Sequence, residues 1–171
     1  MSFKDIPFGS KDKFNVVVEI SKGSPNKYEY SEELDNLILD WVFTDGFSFP
    51  FNYGYIPQTR GGDGDALDVF IVGDQPLDPG VIVECKAVGM IELLDRGEQD
   101  DKIIAVALAD STYSKYEELE ELSLDYKKVF EDFFAGLGVQ KSKTLEIKGF
   151  HGSARATKEI ELGYGRNKKA V

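Results

Sequence analysis

The chain has 171 residues, of which 42% are hydrophobic and 12% aromatic; this is one domain's worth, long enough to bury a core. Its 31 acidic and 20 basic residues give a formal net charge of −11, which disfavours nonspecific binding to nucleic acid or anionic membrane, since both need basic surface. One cysteine, Cys85, and one histidine, His151, exclude an intrachain disulfide and a Cys/His zinc site, and no nucleophile motif accompanies His151 to make a triad.

In chain order, Met1 to Ser10 has no apolar signal core, and no later run approaches membrane-spanning length, so a soluble cytoplasmic protein is expected. Asn15 to Ile20 is β-branched and reads as a strand. A turn at Ser24-Pro25-Asn26 leads to a short alternating strand, Lys27 to Tyr30, and then to a strand over Leu37 to Phe43. Phe47 to Pro57 is aromatic and broken by Pro50, Gly54 and Pro57, which predicts a buried but irregular segment. Leu67 to Val72, Val81 to Val88 and Ile103 to Ala109 are further apolar strands, the last entered from an acidic loop over Asp95 to Asp101. Ser123 is placed to cap a helix from Leu124 to about Ala135, where Tyr126, Val129, Phe130, Phe133 and Phe134 recur at helical spacing as a core face. Thr144 to Ile147 returns to strand, and Ala154 to Gly163 reads as a second helix. No repeat or linker divides residues 1–171, so a single domain is expected. Short strands followed by late helices predict an α+β fold, an OB-like five-stranded antiparallel β-barrel flanked by mainly C-terminal helices.

Chemistry concentrates in Gly61-Gly62-Asp63-Gly64-Asp65-Ala66-Leu67-Asp68, where a Gly-rich turn feeds an apolar strand. Three carboxylates within six residues repel one another unless a cation sits among them. Mg²⁺ prefers oxygen ligands and fills its shell with few protein groups plus water and phosphate. The cluster therefore reads as a hard-metal site suited to phosphate chemistry, against the plainer reading of a solvated acidic turn. It is not an EF-hand loop, because Leu67 and Asp68 stand where that motif needs an oxygen ligand and Gly.

A second acidic stretch, Asp95-Arg96-Gly97-Glu98-Gln99-Asp100-Asp101-Lys102, also precedes a strong strand. Were both strand starts on one rim, Asp63, Asp65, Asp68, Asp95 and Asp100 would converge; spacing alone does not require it. Lys27 and Glu29 project to one face of a strand, with Glu19 on the strand before, and a lysine beside such carboxylates suits a phosphate grip as well as an ordinary charge pair.

Together these motifs resemble the family I soluble inorganic pyrophosphatases of bacterial type. The signature Asp-Gly-Asp-x-Leu-Asp-Val stands at Asp63 to Val69. Asp5-Ile6-Pro7-Phe8-Gly9, Val18-Glu19-Ile20, Lys27-Tyr28-Glu29, Pro50-Phe51-Asn52-Tyr53-Gly54-Tyr55-Ile56, Pro79-Gly80 and Asp95 through Lys102 occur in family order. The resemblance covers nearly the whole chain and implies Mg²⁺-dependent hydrolysis of pyrophosphate to two phosphates. It implies metal-binding roles for Asp63, Asp68, Asp95 and Asp100, and a general base in Asp65. It also implies an outer metal and water network with Glu19 and Glu29, phosphate contacts from Lys27, Tyr53 and Lys102, and a homo-oligomer, a hexamer in many bacterial members.

The departures from the family pattern share one character. Asp40 is followed by Trp41 where the family usually has Arg, and Phe49 replaces the usual Tyr. Phe133-Phe134 is followed by Ala135-Gly136-Leu137-Gly138, so Leu137 and Gly138 stand where a Tyr-Lys pair is usual. Each lost group is a phosphate-gripping one by family role, which implies a loosened clamp; Arg60, Arg96, Lys141 and Lys143 stand near enough in sequence to replace it. The competing readings are a non-hydrolytic metal and phosphate-binding relative, a hydrolase of another phosphoanhydride acting without a P-loop, and an oligonucleotide-binding module, which the pI near 4.6 opposes.

Overall fold

The computed structural model describes residues 2–122 and 125–171. Nine strands and two α-helices are seen among them. The strands are β1 (Phe14–Ile20), β2 (Asn26–Ser31), β3 (Asn36–Val42), β4 (Asn52–Ile56), β5 (Leu67–Ile71), β6 (Ile82–Asp95), β7 (Glu98–Gln99), β8 (Lys102–Ala107) and β9 (Leu145–Gly152). The helices are α1 (Tyr126–Lys141) and α2 (Ser153–Ala170).

The α+β class with two C-terminal helices stands, but the five-stranded antiparallel OB-like barrel does not. The main sheet has seven strands in the order β1-β4-β5-β8-β6-β7, with β9 added on β6. Its β5–β8 pair is parallel, and β2–β3 form a separate two-stranded sheet. The 14-residue β6 is the reason. It is long enough to pair with β1 at its start, with β8 and β9 along its length, and with β7 at its end. Interruptions in a sequence mark where strands stop, not which strands they pair with.

Three local differences have physical causes. The segment expected to be irregular contains β4, which pairs with both β1 and β5. Gly54 is what lets it in, because a Cβ there would lie 1.9 Å from the Val17 carbonyl oxygen. Helix α1 runs to Lys141 instead of stopping near Ala135. Gly136 is poor in a helix, but here it gives room to the Phe47 ring, which a Cβ would meet at 2.4 Å. The helix ends on Ser142 in the left-handed conformation. Its N-terminal cap is Asp125, whose side chain accepts from the Lys128 N–H; the expected cap at Ser123 lies outside the described residues. Finally, the acidic loop Asp95 to Asp101 contains a tight hairpin, with Arg96 and Gly97 at φ 51° and 83° joining β6 to β7.

Strand alternation divides the core between two faces. On β5, Leu67, Val69 and Ile71 enter one cluster, closed by Ala156 and Ile160 of α2. Phe70 enters the other, closed by Phe130, Phe133 and Phe134 of α1. The same alternation on β8 sends Ile103 and Ala105 to the α2 side and Ile104 and Val106 to the α1 side. Asp68 and Lys102 therefore share a face with Phe70 and Ile104, at the edge of the aromatic layer.

Phe130 holds that layer together, fully buried with ring contacts to Phe51 and Phe70 at 5.5 and 5.0 Å. Phe130→Ala is expected to cost about 3–5 kcal/mol of unfolding free energy in urea melts. Val139→Ala, on the exposed side of the same helix, should change it by less than about 0.5 kcal/mol.

Candidate active site

The acidic turn between β4 and β5 is shaped by its own groups. Gly64 adopts φ 89°, the Asp63 carboxylate accepts from the Asp65 N–H at 3.0 Å, and the Gly61 N–H donates to the Asp65 carbonyl at 2.7 Å. Arg60 braces the turn from outside through its Nη1 to the Gly64 carbonyl. Directly after the turn, β5 carries Asp68 next to Lys102 in the parallel ladder. The Lys102 ammonium sits 2.6 Å from Asp68 and 3.0 Å from Asp100, and 5.8 Å from the centre of the Tyr53 ring. It is almost wholly buried; burial alone would lower its pKa, but Asp68, Tyr53 and Asp100 hold it well above the usual lysine value.

Two β-bulges aim the remaining groups. Val18 pairs with Gly54 and Ile20 with Tyr53, so Glu19 is the extra residue of β1. Its carboxyl accepts from the Tyr30 N–H at 2.8 Å and so ties the small sheet to the large one. Between β2 and β3, Lys27 pairs with Trp41 and Tyr28 with Leu39, which leaves Asp40 as the extra residue. Asp40 reaches Lys27 at 2.7 Å, and Glu29 approaches the same ammonium at 3.2 Å. Asp95, at the end of β6, is bound by Lys143 at 2.6 Å and by Arg96 at 3.1 Å.

All ten residues singled out in the sequence line one cavity of about 570 Å³: Glu19, Lys27, Glu29, Tyr53, Asp63, Asp65, Asp68, Asp95, Asp100 and Lys102. Of the four basic residues named as replacements, Arg96, Lys141 and Lys143 line it too, and Arg60 does not. Phe49 and Leu137 contribute apolar wall, Phe49 with its ring 4.8 Å from that of Phe133. Sequence reasoning missed two contributors. Asp40 owes its aim to a bulge, which leaves no periodic trace in sequence. Tyr55 lines the cavity, and its hydroxyl is buried without a hydrogen-bond partner among the described residues. The Tyr53-Gly54-Tyr55 spacing was the available signal, since residues two apart on a strand point the same way.

The carboxylates strain against one another. Burial, then the Asp68 charge, pushes Glu19 up to about 8. Burial, reinforced by Asp100, Asp65 and Asp68, pushes Asp63 up to about 6, and burial with Asp68 raises Asp65 as well. Among the described residues no three acidic, histidine or cysteine side chains form a ready-made ion cage. The Lys102 ammonium already occupies the gap between Asp68 and Asp100. The donor chemistry nonetheless fits a hard divalent cation, which takes few protein oxygens and completes its shell with water and phosphate.

A family model described as inorganic pyrophosphatase matches residues 16–168. The chain is 38% identical over 158 residues to the inorganic pyrophosphatase of Picrophilus torridus, covering 92% of this chain and 89% of that protein. It is 34% identical over 153 residues to soluble inorganic pyrophosphatase 1 of Arabidopsis thaliana, covering 90% and 72%. The crystal structure of inorganic pyrophosphatase from Thermus thermophilus superposes with a TM-score of 0.87 at 30% identity, covering 98% of this chain and 99% of that one.

Glu19 supplies a prediction with a definite sign. Between pH 4.5 and about 8 the folded protein keeps a proton that the unfolded chain releases, so stability falls as pH rises through that window. Glu19→Gln should flatten this fall in thermal melts run without divalent metal, and the variant should melt above the parent at pH 8.

Proposed function

The chain belongs to the inorganic pyrophosphatase family, and we propose that it hydrolyses inorganic pyrophosphate to two phosphates, with Mg²⁺ as cofactor and Asp65 as general base. The observation that carries this reading is the convergence of Asp63, Asp65, Asp68 and Asp100 with Lys27, Lys102 and Tyr53 on one cavity. Pyrophosphate is highly charged, and phosphoryl transfer is catalysed chiefly by positioning and charge neutralisation. A cavity built from alternating acidic and cationic groups supplies both.

Asp63, Asp68, Asp95 and Asp100 would hold the metal, with Glu19 and Glu29 ordering the water around it. When bound, Mg²⁺ lowers the pKa of a coordinated water and offsets phosphoryl charge. Asp65 lies half-exposed at the mouth of the turn, with its pKa raised by burial and by Asp68, which makes it a stronger base than an ordinary aspartate. It accepts the proton of the attacking water. Lys27, Lys102 and the Tyr53 hydroxyl hold the phosphoryl oxygens and the leaving phosphate, and their charges or dipoles are fixed before substrate arrives. The Tyr53 phenol stays protonated as a donor, because burial raises it well above the usual tyrosine value.

Phosphate release from pyrophosphate should depend on Mg²⁺ and fall at least about 100-fold in Asp65→Asn, which keeps the side chain's shape and removes its basicity. No release from folded wild-type protein, or undiminished release from the variant, would overturn the assignment.

We propose further that the protein acts as a homo-oligomer. No helix among the described residues is long and apolar enough to cross a membrane. Leu39, Val42, Val81 and Ile82 leave apolar surface for subunit contacts. Light scattering should return a multiple of the 19.1 kDa chain mass, sixfold for the hexamer the family resemblance implies; a monomer at micromolar concentration would refute the assembly.

A further inference from the structure

Five cations line the cavity, and four are closely engaged. Lys102 lies between Asp68 and Asp100, Lys27 between Asp40 and Glu29, and Lys143 and Arg96 both bind Asp95, each with a contact of 3.1 Å or less. Lys141 is the exception. Its one ion pair among the described residues, to Asp40, is 3.6 Å long, and the same Asp40 oxygen is already held by Lys27 at 2.7 Å. What positions Lys141 instead is an aromatic face: its ammonium stands 5.2 Å from the centre of the Trp41 ring.

The chain geometry explains how a residue at the very end of α1 reaches the cavity. Lys141 follows Leu137 by four residues, so the two share one helix face a turn apart. Long side chains on a helix lean back over the preceding turn, which carries the Lys141 ammonium toward the wall lined by Leu137. Trp41 is the cross-strand partner of Lys27 and is 41% exposed, so it lies neither in the core nor within the cavity but beneath the ammonium at the rim. A cation resting on an indole keeps its outward N–H donors available, whereas one held between two carboxylates has two of its three donors already engaged.

We propose that Lys141, seated on Trp41, is a substrate-binding residue that grips a phosphoryl group of pyrophosphate at the cavity rim, and that Trp41 is its positioning residue. The pair does the work of the guanidinium and the Tyr-Lys groups this chain lacks. The inference rests on the pyrophosphate reading above.

The test compares Lys141→Met, Lys141→Gln, Trp41→Leu, Trp41→Phe and the control Lys128→Met, an exposed lysine of the same helix paired with Asp132. Two quantities are read: KM for pyrophosphate, and the calorimetric Kd for methylenediphosphonate, which cannot be hydrolysed, both with Mg²⁺. Both Lys141 variants should raise KM and Kd about tenfold, with kcat falling less. Trp41→Leu should raise both by a smaller factor, Trp41→Phe should restore most of the loss, and Trp41→Leu should add little to Lys141→Met. Lys128→Met should match wild type. Wild-type KM and Kd in the Lys141 variants would overturn the proposal, as would equal losses in Lys128→Met. If wild-type protein released no phosphate, the pyrophosphatase reading would fail, while the methylenediphosphonate Kd values would still decide whether Lys141 holds the anion.

Discussion

The buried ammonium of Lys102 between Asp68 and Asp100 is the constraint on which the site depends. It exists because β5 and β8 run parallel and in a register that sets Asp68 beside Lys102. Antiparallel neighbours are easily joined by a short turn, but a parallel pair needs a long crossover. Here the crossover is β6 and β7, and that excursion delivers Asp95 and Asp100 to the same cavity rim. A single pairing choice thus brings Asp95 and Asp100 to Asp68 and sets the Lys102 ammonium between Asp68 and Asp100.

The charge balance of the cavity follows from that arrangement. A protein of net charge −11 repels a polyanion at long range, so attraction has to be local. The cavity's lysines are mostly neutralised by neighbouring carboxylates, while burial and the charge of Asp68 keep Glu19, Asp63 and Asp65 raised. Such a cavity gains by taking up a divalent cation, and the loaded site then gains by taking up a polyanion.

Much of this was legible in the sequence, for identifiable reasons. The acidic turn was visible because its glycines and carboxylates are contiguous and the following strand is unambiguous. The aromatic face of α1 was visible because 3.6-residue periodicity survives without any knowledge of partners. Asp40 and the aim of Glu19 were not visible, since a bulge changes which side chain points inward without altering composition. The sheet was misjudged for a related reason: strand order depends on contacts distant in sequence, and the length of β6 was cut short at Val88, where a bulge in the pairing with β8 interrupts the pattern. The end of α1 was misjudged because Gly136 looks like a stop until the Phe47 ring that fills its space is known.

That last error bears on the chemistry. Had α1 ended near Ala135, as glycine propensity suggests, Lys141 would lie in a loop with no fixed direction, and Trp41 would have no cation to carry. The helix instead continues through Gly136 and Gly138 to Ser142, which sets the final lysine on the same face as Leu137. Gly136 against Phe47, Leu137 in the wall, Trp41 at the rim and Lys141 above it are therefore one connected arrangement. With α1 running to Lys141, the last helical lysine stands 5.2 Å from the centre of the Trp41 ring.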